Sequence, residues 1–491
     1  MTLPRLFALS LESRRNRPAL EWAGETVTFG EIDARSNRLA RELLRRGLAA
    51  GDRLAVYLPN RPEYIDLFIA CTKIGVVFVP INVLYREREA GHILRDAAPR
   101  ALVLDGSPPS SEPVPQWSVD DLTTSAAAQP ADALSTLSHG DHPACIIYTS
   151  GTTGLAKGAV LTHNNLAANA ANIVTCWQIT ESDRHLLALP LFHVHGLGNG
   201  IHSWLATGGL LRLLPRFDHA TAAAEFLDFA PTLFFGVPTM YVRMLEMPED
   251  VARRIGRTAR LFVSGSAPLA SAVFAEFERR FGHRILERYG MSETLMLLGN
   301  PYAGERRPGT VGHPFPGVSV RIADRSGADV ADGETGELLV RSPALCAGYW
   351  NRPDATAAAM RDGWFHTGDL GVRGEGGYVT LQGRAHELII SGGFNIYPRE
   401  VEEVLAEHGD VAEVAVVGVA DTLRGEVPVA FVVPHASSTM DGASLDAHCR
   451  ERLASFKVPK HFVAVATLPR TALGKIQKGE LLAAWNRESG R

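Results

Sequence analysis

Tyr148-Thr-Ser-Gly-Thr-Thr-Gly-Leu-Ala-Lys-Gly158 is the stretch on which the reading of this chain turns. The run Ile146-Ile147-Tyr148 is β-branched and aromatic, which predicts the end of a buried strand. Four hydroxyls follow (Thr149, Ser150, Thr152, Thr153), with three glycines (Gly151, Gly154, Gly158) and Lys157. Glycines let backbone N–H groups crowd round an anion, and hydroxyls with a lysine complete a phosphate cradle. It is not a Walker A loop, because no Gly-Lys-Ser/Thr stands at the required spacing. Taken alone, a polar turn after a strand gives the same pattern.

Working outward, strand-like and helix-like segments alternate, which argues for an α/β fold. Thr28-Phe-Gly-Glu31 has the form of a capping box, and Ile32, Leu39, Leu43 and Leu44 follow at roughly helical spacing. Leu54–Leu58 and Val76–Val79 read as strands. Residues 105–143, rich in Ser, Pro, Asp and Ala, read as loops joining two subdomains. A boundary is expected near residue 384, giving domains 1–383 and 384–491. After it Glu387–Ile390, a helix at Pro398–Glu407 and strands at Val411–Val419 and Pro428–Val433 begin a new, smaller α+β pattern.

The 491 residues allow a large core and more than one domain, with 46% hydrophobic and 21% charged side chains. The net charge is −5 and there is no long Lys/Arg run, so a nucleic-acid partner is not expected. The five cysteines stand singly with no Cys-x-x-Cys pair, which leaves zinc, dithiol chemistry and disulfides without support. The apolar run Leu6–Leu11 is too short for a signal peptide, and no segment is long enough for a membrane helix. A cytoplasmic protein, monomeric or homodimeric, is expected.

Further motifs follow in order: Pro190-Leu-Phe-His-Val-His-Gly196, Gly236-Val-Pro-Thr239, Ser264-Gly-Ser-Ala267, Tyr289-Gly-Met-Ser-Glu293, Thr367-Gly-Asp369, Gly383-Arg384 and Pro469-Arg-Thr-Ala-Leu-Gly-Lys475. Together with the opening stretch they resemble the adenylate-forming superfamily: acyl-CoA synthetases, peptide-synthetase adenylation domains and beetle luciferases. That resemblance implies a large N-terminal α/β domain of several subdomains and a small mobile C-terminal α+β domain. It also implies ATP, Mg²⁺ and CoA as co-reactants of a small carboxylic acid.

Adenylation brings a carboxylate to an α-phosphate, so the site must neutralise charge and hold the pair in line. Thr149, Ser150, Gly151, Thr152, Thr153, Gly154 and Lys157 would hold the phosphates, and Glu293 with Thr149 would take Mg²⁺, a hard cation content with few carboxylates. By resemblance Tyr289 stacks on adenine, with Ser264, Gly265, Ser266 and Ala267 on its other side and Gly290 and Ser292 in the same nucleotide motif. Asp369 would accept the ribose hydroxyls and Arg384 would approach the ribose and phosphates. Lys475 would bridge carboxylate and α-phosphate. Ser391, Gly392 and Gly393 would line the CoA tunnel, and His386 would be the hinge, where related chains carry Asp or Lys. His193 and His195 alternate, so on a strand they would share a face. A metal pair is conceivable there, but no third ligand lies nearby in sequence, and the resemblance puts His193 beside the acyl site and the path of the thiol.

Glu287-Arg288-Tyr289-Gly290 most resembles malonyl-CoA and methylmalonyl-CoA synthetases, in which the arginine holds the distal carboxylate. Arg288, His193, Ser264 and Met291 would then form the carboxylate pocket. The alternative for Arg288 is a structural ion pair with Glu287 or another acid. Leu297 and Leu298 stand where those enzymes carry polar residues, which keeps a substituted malonate, a medium-chain acid or an aryl acid open. An amino acid is disfavoured because Leu233–Thr239 holds no acid to pair an α-amino group. A stand-alone adenylating protein that loads a carrier is the reading of a different class.

Overall fold

The computed structural model describes residues 1–136, 138–149, 156–392, 394–436, 438, 440–471 and 474–488. The phosphate-loop residues Ser150, Gly151, Thr152, Thr153 and Gly154, and Gly393 of the CoA motif, lie outside the described residues. The chain divides into two compact units. One comprises Met1–Pro308, Gly312–Ser319 and Arg341–Gly363; the other comprises Gly309–Val311, Val320–Val340 and Trp364–Arg491.

Among its described residues the first unit is built on two α/β sheets. One runs, in spatial order, Gln116–Ser118, Ala101–Leu104, Arg53–Tyr57, Val77–Pro80, Pro143–Thr149 and Lys157–Thr162. It is parallel except for the last pair, an antiparallel hairpin in which Thr149 faces Lys157. The other has a parallel centre of Leu286–Met291, Leu261–Ser264, Leu233–Gly236, Arg184–Leu187, Leu210–Leu213 and Pro18–Trp22, with antiparallel strands at both edges. Strands buried on both faces read as continuous apolar runs, and Leu233-Phe-Phe-Gly236 and Leu261-Phe-Val-Ser264 are buried along their whole length.

Helix Phe29–Arg45 starts as the sequence predicts: Thr28 caps it, and its backbone N–H donates to Glu31 in a complete capping box. The 105–143 stretch departs from the loop reading. It contains a strand at Gln116–Ser118 and a helix at Val119–Ala126. Ser118 caps that helix, Asp120 and Asp121 sit in its first turn, and the small apolar set Val119, Leu122 and Ala126 is buried.

In the second unit, strands Ser319–Ala323, Thr335–Arg341, Trp364–Arg373 and Val379–Arg384 form an antiparallel sheet. A second sheet pairs Val411–Asp421 with Gly425–Pro434 and adds Ile389–Ser391, Phe394–Ile396 and His461–Ala464. Val416, Ala430, Val432 and Leu445 are among its fully buried residues. Strand pairing places Trp364–Arg373, ahead of the boundary expected near residue 384, in this second unit.

Candidate active site

The parallel strands deliver the predicted residues to one end of the larger sheet. Strand Arg184–Leu187 leads into the turn with His193 and His195; the strand beside it ends at Gly236, the next ends at Ser264, and the one after carries Arg288. Gly236 pairs with Ser264 and Ser264 with Glu287, so these strand ends are level. The carboxyl ends of parallel strands are where α/β sheets bind ligands.

Arg288 is 6% exposed, and its Nε and Nη2 find no hydrogen-bond partner among the described residues. Its guanidinium lies against the backbone of Gly265: a Cβ there would sit 2.5 Å from Cζ and 2.8 Å from Cδ. Across the strand pair stands Gly299, whose own Cβ position is 3.8 Å from that of Arg288. Burial pushes Arg288 down, to about 9, so it still carries its charge at neutral pH. The buried Tyr241 hydroxyl is spoken for, donating to the Val263 carbonyl at 2.7 Å.

His193 and His195 do not lie on a strand. They sit where the chain turns into a π-helical segment, His195–Ile201, and His193 Nδ1 accepts the His195 backbone N–H at 3.1 Å. His195 Nδ1 lies 3.3 Å from the Ser266 hydroxyl, and its Nε2 has no partner among the described residues; neither has the Ser264 hydroxyl. Burial, then Arg288, lowers His193 to about 4, and burial holds His195 well below its usual range, so both are neutral at pH 7. Among the described residues no group of three His, Cys, Asp or Glu could hold a metal. Ser266 has φ 71°, in the left-handed region that a serine adopts only when its surroundings impose it.

At the smaller sheet, Thr149 and Lys157 are cross-strand partners. The Lys157 ammonium lies 5.3 Å from the centre of the Tyr349 ring, and the Tyr349 hydroxyl donates to Glu293 Oε1 at 3.0 Å. One contact path thus joins the loop lysine to the carboxylate of Tyr289-Gly-Met-Ser-Glu293. A single carboxylate, 6% exposed, with a hydroxyl such as Thr149, is a hard-oxygen donor set that suits Mg²⁺ arriving with phosphates. Tyr289 is nearly buried, Gly290 abuts the Leu295 carbonyl, Met291 and Ser292 are partly exposed, and Gly265 and Ala267 flank the Ser266 turn.

The second unit holds its own cluster. Asp369 is paired in register with Arg384, whose Nε lies 2.9 Å from Oδ1 and whose Nη1 donates to the Thr367 carbonyl at 3.1 Å. Lys475 is close enough to Arg384, Glu387 and Asp369 to feel their charges; burial, then Arg384, lowers it. His386 is lowered chiefly by burial and stands 3.9 Å from Glu387. Ser391 is buried, its hydroxyl has no partner among the described residues, and Gly392 follows at φ 57°. Asp369, Arg384, His386 and Lys475 are therefore neighbours, although 106 positions separate the first from the last (475 − 369).

Tyr349 escaped the sequence reading. Its local context, Ala347-Gly-Tyr-Trp-Asn351, reads as a turn, and its bond to Glu293 spans 56 positions. Asp96, which accepts from the Tyr148 hydroxyl at 2.7 Å, escaped for the same reason.

The AMP-binding enzyme model matches residues 7–350, and the AMP-binding enzyme C-terminal domain matches residues 400–475. A feruloyl-CoA synthase of Amycolatopsis sp is 38% identical over 94% of this chain and 95% of its own length. A sulfoacetate–CoA ligase of Cupriavidus necator is 37% identical over 98% of this chain and 97% of its own. The crystal structure of ATP-bound MatB from Rhodopseudomonas palustris superposes with a TM-score of 0.93 at 37% identity, covering 99% of each chain. No helix among the described residues is long and apolar enough to cross a membrane.

Proposed function

The chain belongs to the AMP-binding enzymes and is an AMP-forming acid–CoA ligase, and from that premise we propose that its acid is malonate or a closely related small dicarboxylate. The observation that carries this reading is the buried Arg288 guanidinium, two of whose nitrogens have no partner among the described residues. An unpaired buried charge costs several kcal/mol, on the order of 3–5 when a partner is removed, and a planar carboxylate answers it with two parallel hydrogen bonds. The run Glu287–Gly290, which resembles that of malonyl-CoA synthetases, supports the same class. So does the sulfoacetate–CoA ligase, whose named acid carries a second anion.

The reaction has two steps. A carboxylate oxygen attacks the α-phosphorus, the bond to the bridging oxygen breaks, and pyrophosphate leaves. The CoA sulfur then attacks the acyl carbon, its proton is released, and AMP leaves with the carboxylate oxygen. Lys475 supplies the cation that lets two anions meet, Lys157 and Thr149 hold phosphates, and Asp369 and Arg384 take the ribose side. Glu293 and Thr149 would hold Mg²⁺, which would supply positive charge against the phosphates. Tyr289 and the Ser264–Ala267 turn seat the adenine. Arg288 holds the distal carboxylate, with His193, Ser264 and Met291 around the acyl group. Neutral His193 and His195 add hydrogen-bonding capacity without adding charge. Ser391 and Gly392 would face CoA, with Gly393 assigned there by the motif alone, and His386 would be the hinge of the C-terminal part, 384–491.

A second reading has its own support. Leu297 and Leu298 are fully buried beside Tyr289 and Arg288, and the feruloyl-CoA synthase is an aryl-acid enzyme by name. Arg288→Ala separates the two. Losing a charge-assisted bidentate pair costs about 2–3 kcal/mol, so kcat/KM for malonate should fall roughly 30- to 150-fold while butyrate changes little. Equal losses for the two acids make Arg288 structural and return the aryl or medium-chain reading.

A further inference from the structure

The segment Cys346–Trp350 is stitched to both halves of the nucleotide-handling surface of the first unit. Its Ala347 N–H donates to Val160, its Trp350 N–H donates to Gly158 at 2.7 Å, and Gly348 accepts from Val160 at 2.9 Å. It therefore runs as an added edge along the strand that begins at Lys157. Cys346 N–H donates at 2.7 Å to the carbonyl of Glu293 itself. Beyond it, the Trp350 indole and Asn351 amide both donate to the Asp96 carbonyl, and Asp96 takes the hydroxyl of Tyr148. The backbone position of residue 349 is thus fixed from three sides.

From that position one side chain touches two chemistries. The Tyr349 hydroxyl donates to Glu293 Oε1 at 3.0 Å, and its ring faces the Lys157 ammonium at 5.3 Å. A phenol donating to one carboxylate oxygen fixes the plane of the carboxylate and leaves the other oxygen to bind a cation. Groups that orient a metal ligand in this way are commonly worth 10- to 100-fold in metal affinity. The ring face is electron-rich and holds an ammonium in place without neutralising it, so the cation stays available to a phosphate. A carboxylate placed directly on Lys157 would instead compete with that phosphate.

We propose that Tyr349 is a positioning residue for Mg·ATP: through its hydroxyl it aims Glu293 at the metal, and through its ring it seats Lys157 for the phosphates. This rests on Glu293 being the Mg²⁺ ligand, as proposed above. The two roles separate by substitution. Tyr349→Phe keeps the ring and removes the donor; Tyr349→Leu removes both.

Calorimetric titration of each purified full-length variant with ATP, once in Mg²⁺ and once in EDTA, reads this without turnover. Wild type should bind ATP more tightly in Mg²⁺ than in EDTA. Tyr349→Phe should lose about tenfold in the Mg²⁺ titration and match wild type in EDTA. Tyr349→Leu should weaken in both, and the KM for malonate should stay constant in Tyr349→Phe. Glu293→Gln is the control on the premise. If it keeps the full Mg²⁺ advantage, Glu293 is not the ligand and the role of Tyr349 falls with it. If Glu293→Gln loses the advantage and Tyr349→Phe keeps it, the role of Tyr349 alone is overturned. Equal losses by Tyr349→Phe with and without Mg²⁺ mark a packing defect and also overturn it.

Discussion

Even the half-buried Arg260 guanidinium is answered by the protein around it, pairing with Asp183 at 2.7 Å in the same unit. Arg288 is answered by a glycine backbone, and its Nε and Nη2 have no hydrogen-bond partner among the described residues. The desolvation of that cation is a cost the free enzyme carries and an anionic ligand relieves. The geometry also explains Gly265. Gly265→Ala places a methyl 2.5 Å from Cζ, so the guanidinium must move by an ångström or more. Malonate turnover should fall at least tenfold, with the KM for butyrate nearly unchanged; kinetics on the two acids check this, and an unaltered malonate rate would show that the guanidinium has room to spare. Arg288 itself was legible from the run Glu287–Gly290. Its contact with Gly265 was not, because a close approach between two strand ends leaves no mark in either strand's own pattern.

At the scale of single elements, the sequence misled where glycine and histidine mix. Gly196-Leu-Gly-Asn-Gly200 is poor helix material, yet it forms a buried π-helical turn that runs into helix His202–Thr207. Tertiary packing overrides propensity: His202 stacks on Phe68 at 5.1 Å and leans on Phe7 at 5.4 Å. Neither of its ring nitrogens has a partner among the described residues, and burial lowers it from 6.5 to about 3. Between those values the unfolded chain binds a proton that the native state refuses. Stability is therefore full above about pH 6.5 and is lost as pH falls toward 3. His202→Phe keeps an aromatic ring in that slot and removes the titration. Its loss of stability between pH 7 and 4.5, read from urea midpoints, should be smaller than wild type's by about 2–3 kcal/mol. Parallel losses in the two proteins would mean His202 is not protonated on unfolding in that range. The helix at Val119–Ala126 was missed for a simpler reason: its short apolar set is hidden in a Ser- and Asp-rich stretch that looks like loop.

Across the whole molecule, the larger architecture was legible because parallel strands announce themselves as unbroken apolar runs and because the motifs fall at their carboxyl ends. The division into units was less so. Trp364–Arg373 pairs with Thr335–Arg341 and Val379–Arg384, and such long-range pairing cannot be read from local composition. In the proposed reaction one chemical path unites the motifs: Arg288 would select the acid, Lys475 would let it meet ATP, and CoA would collect the product. That path has an atomic signature, since the carboxylate oxygen that attacks phosphorus must depart with AMP. Malonate labelled with ¹⁸O in both carboxylates, incubated with enzyme, ATP, Mg²⁺ and CoA, should give malonyl-CoA and AMP bearing one heavy oxygen by mass spectrometry. Unlabelled AMP, or ADP and phosphate in place of AMP and pyrophosphate, would contradict an acyl-adenylate and with it the path described.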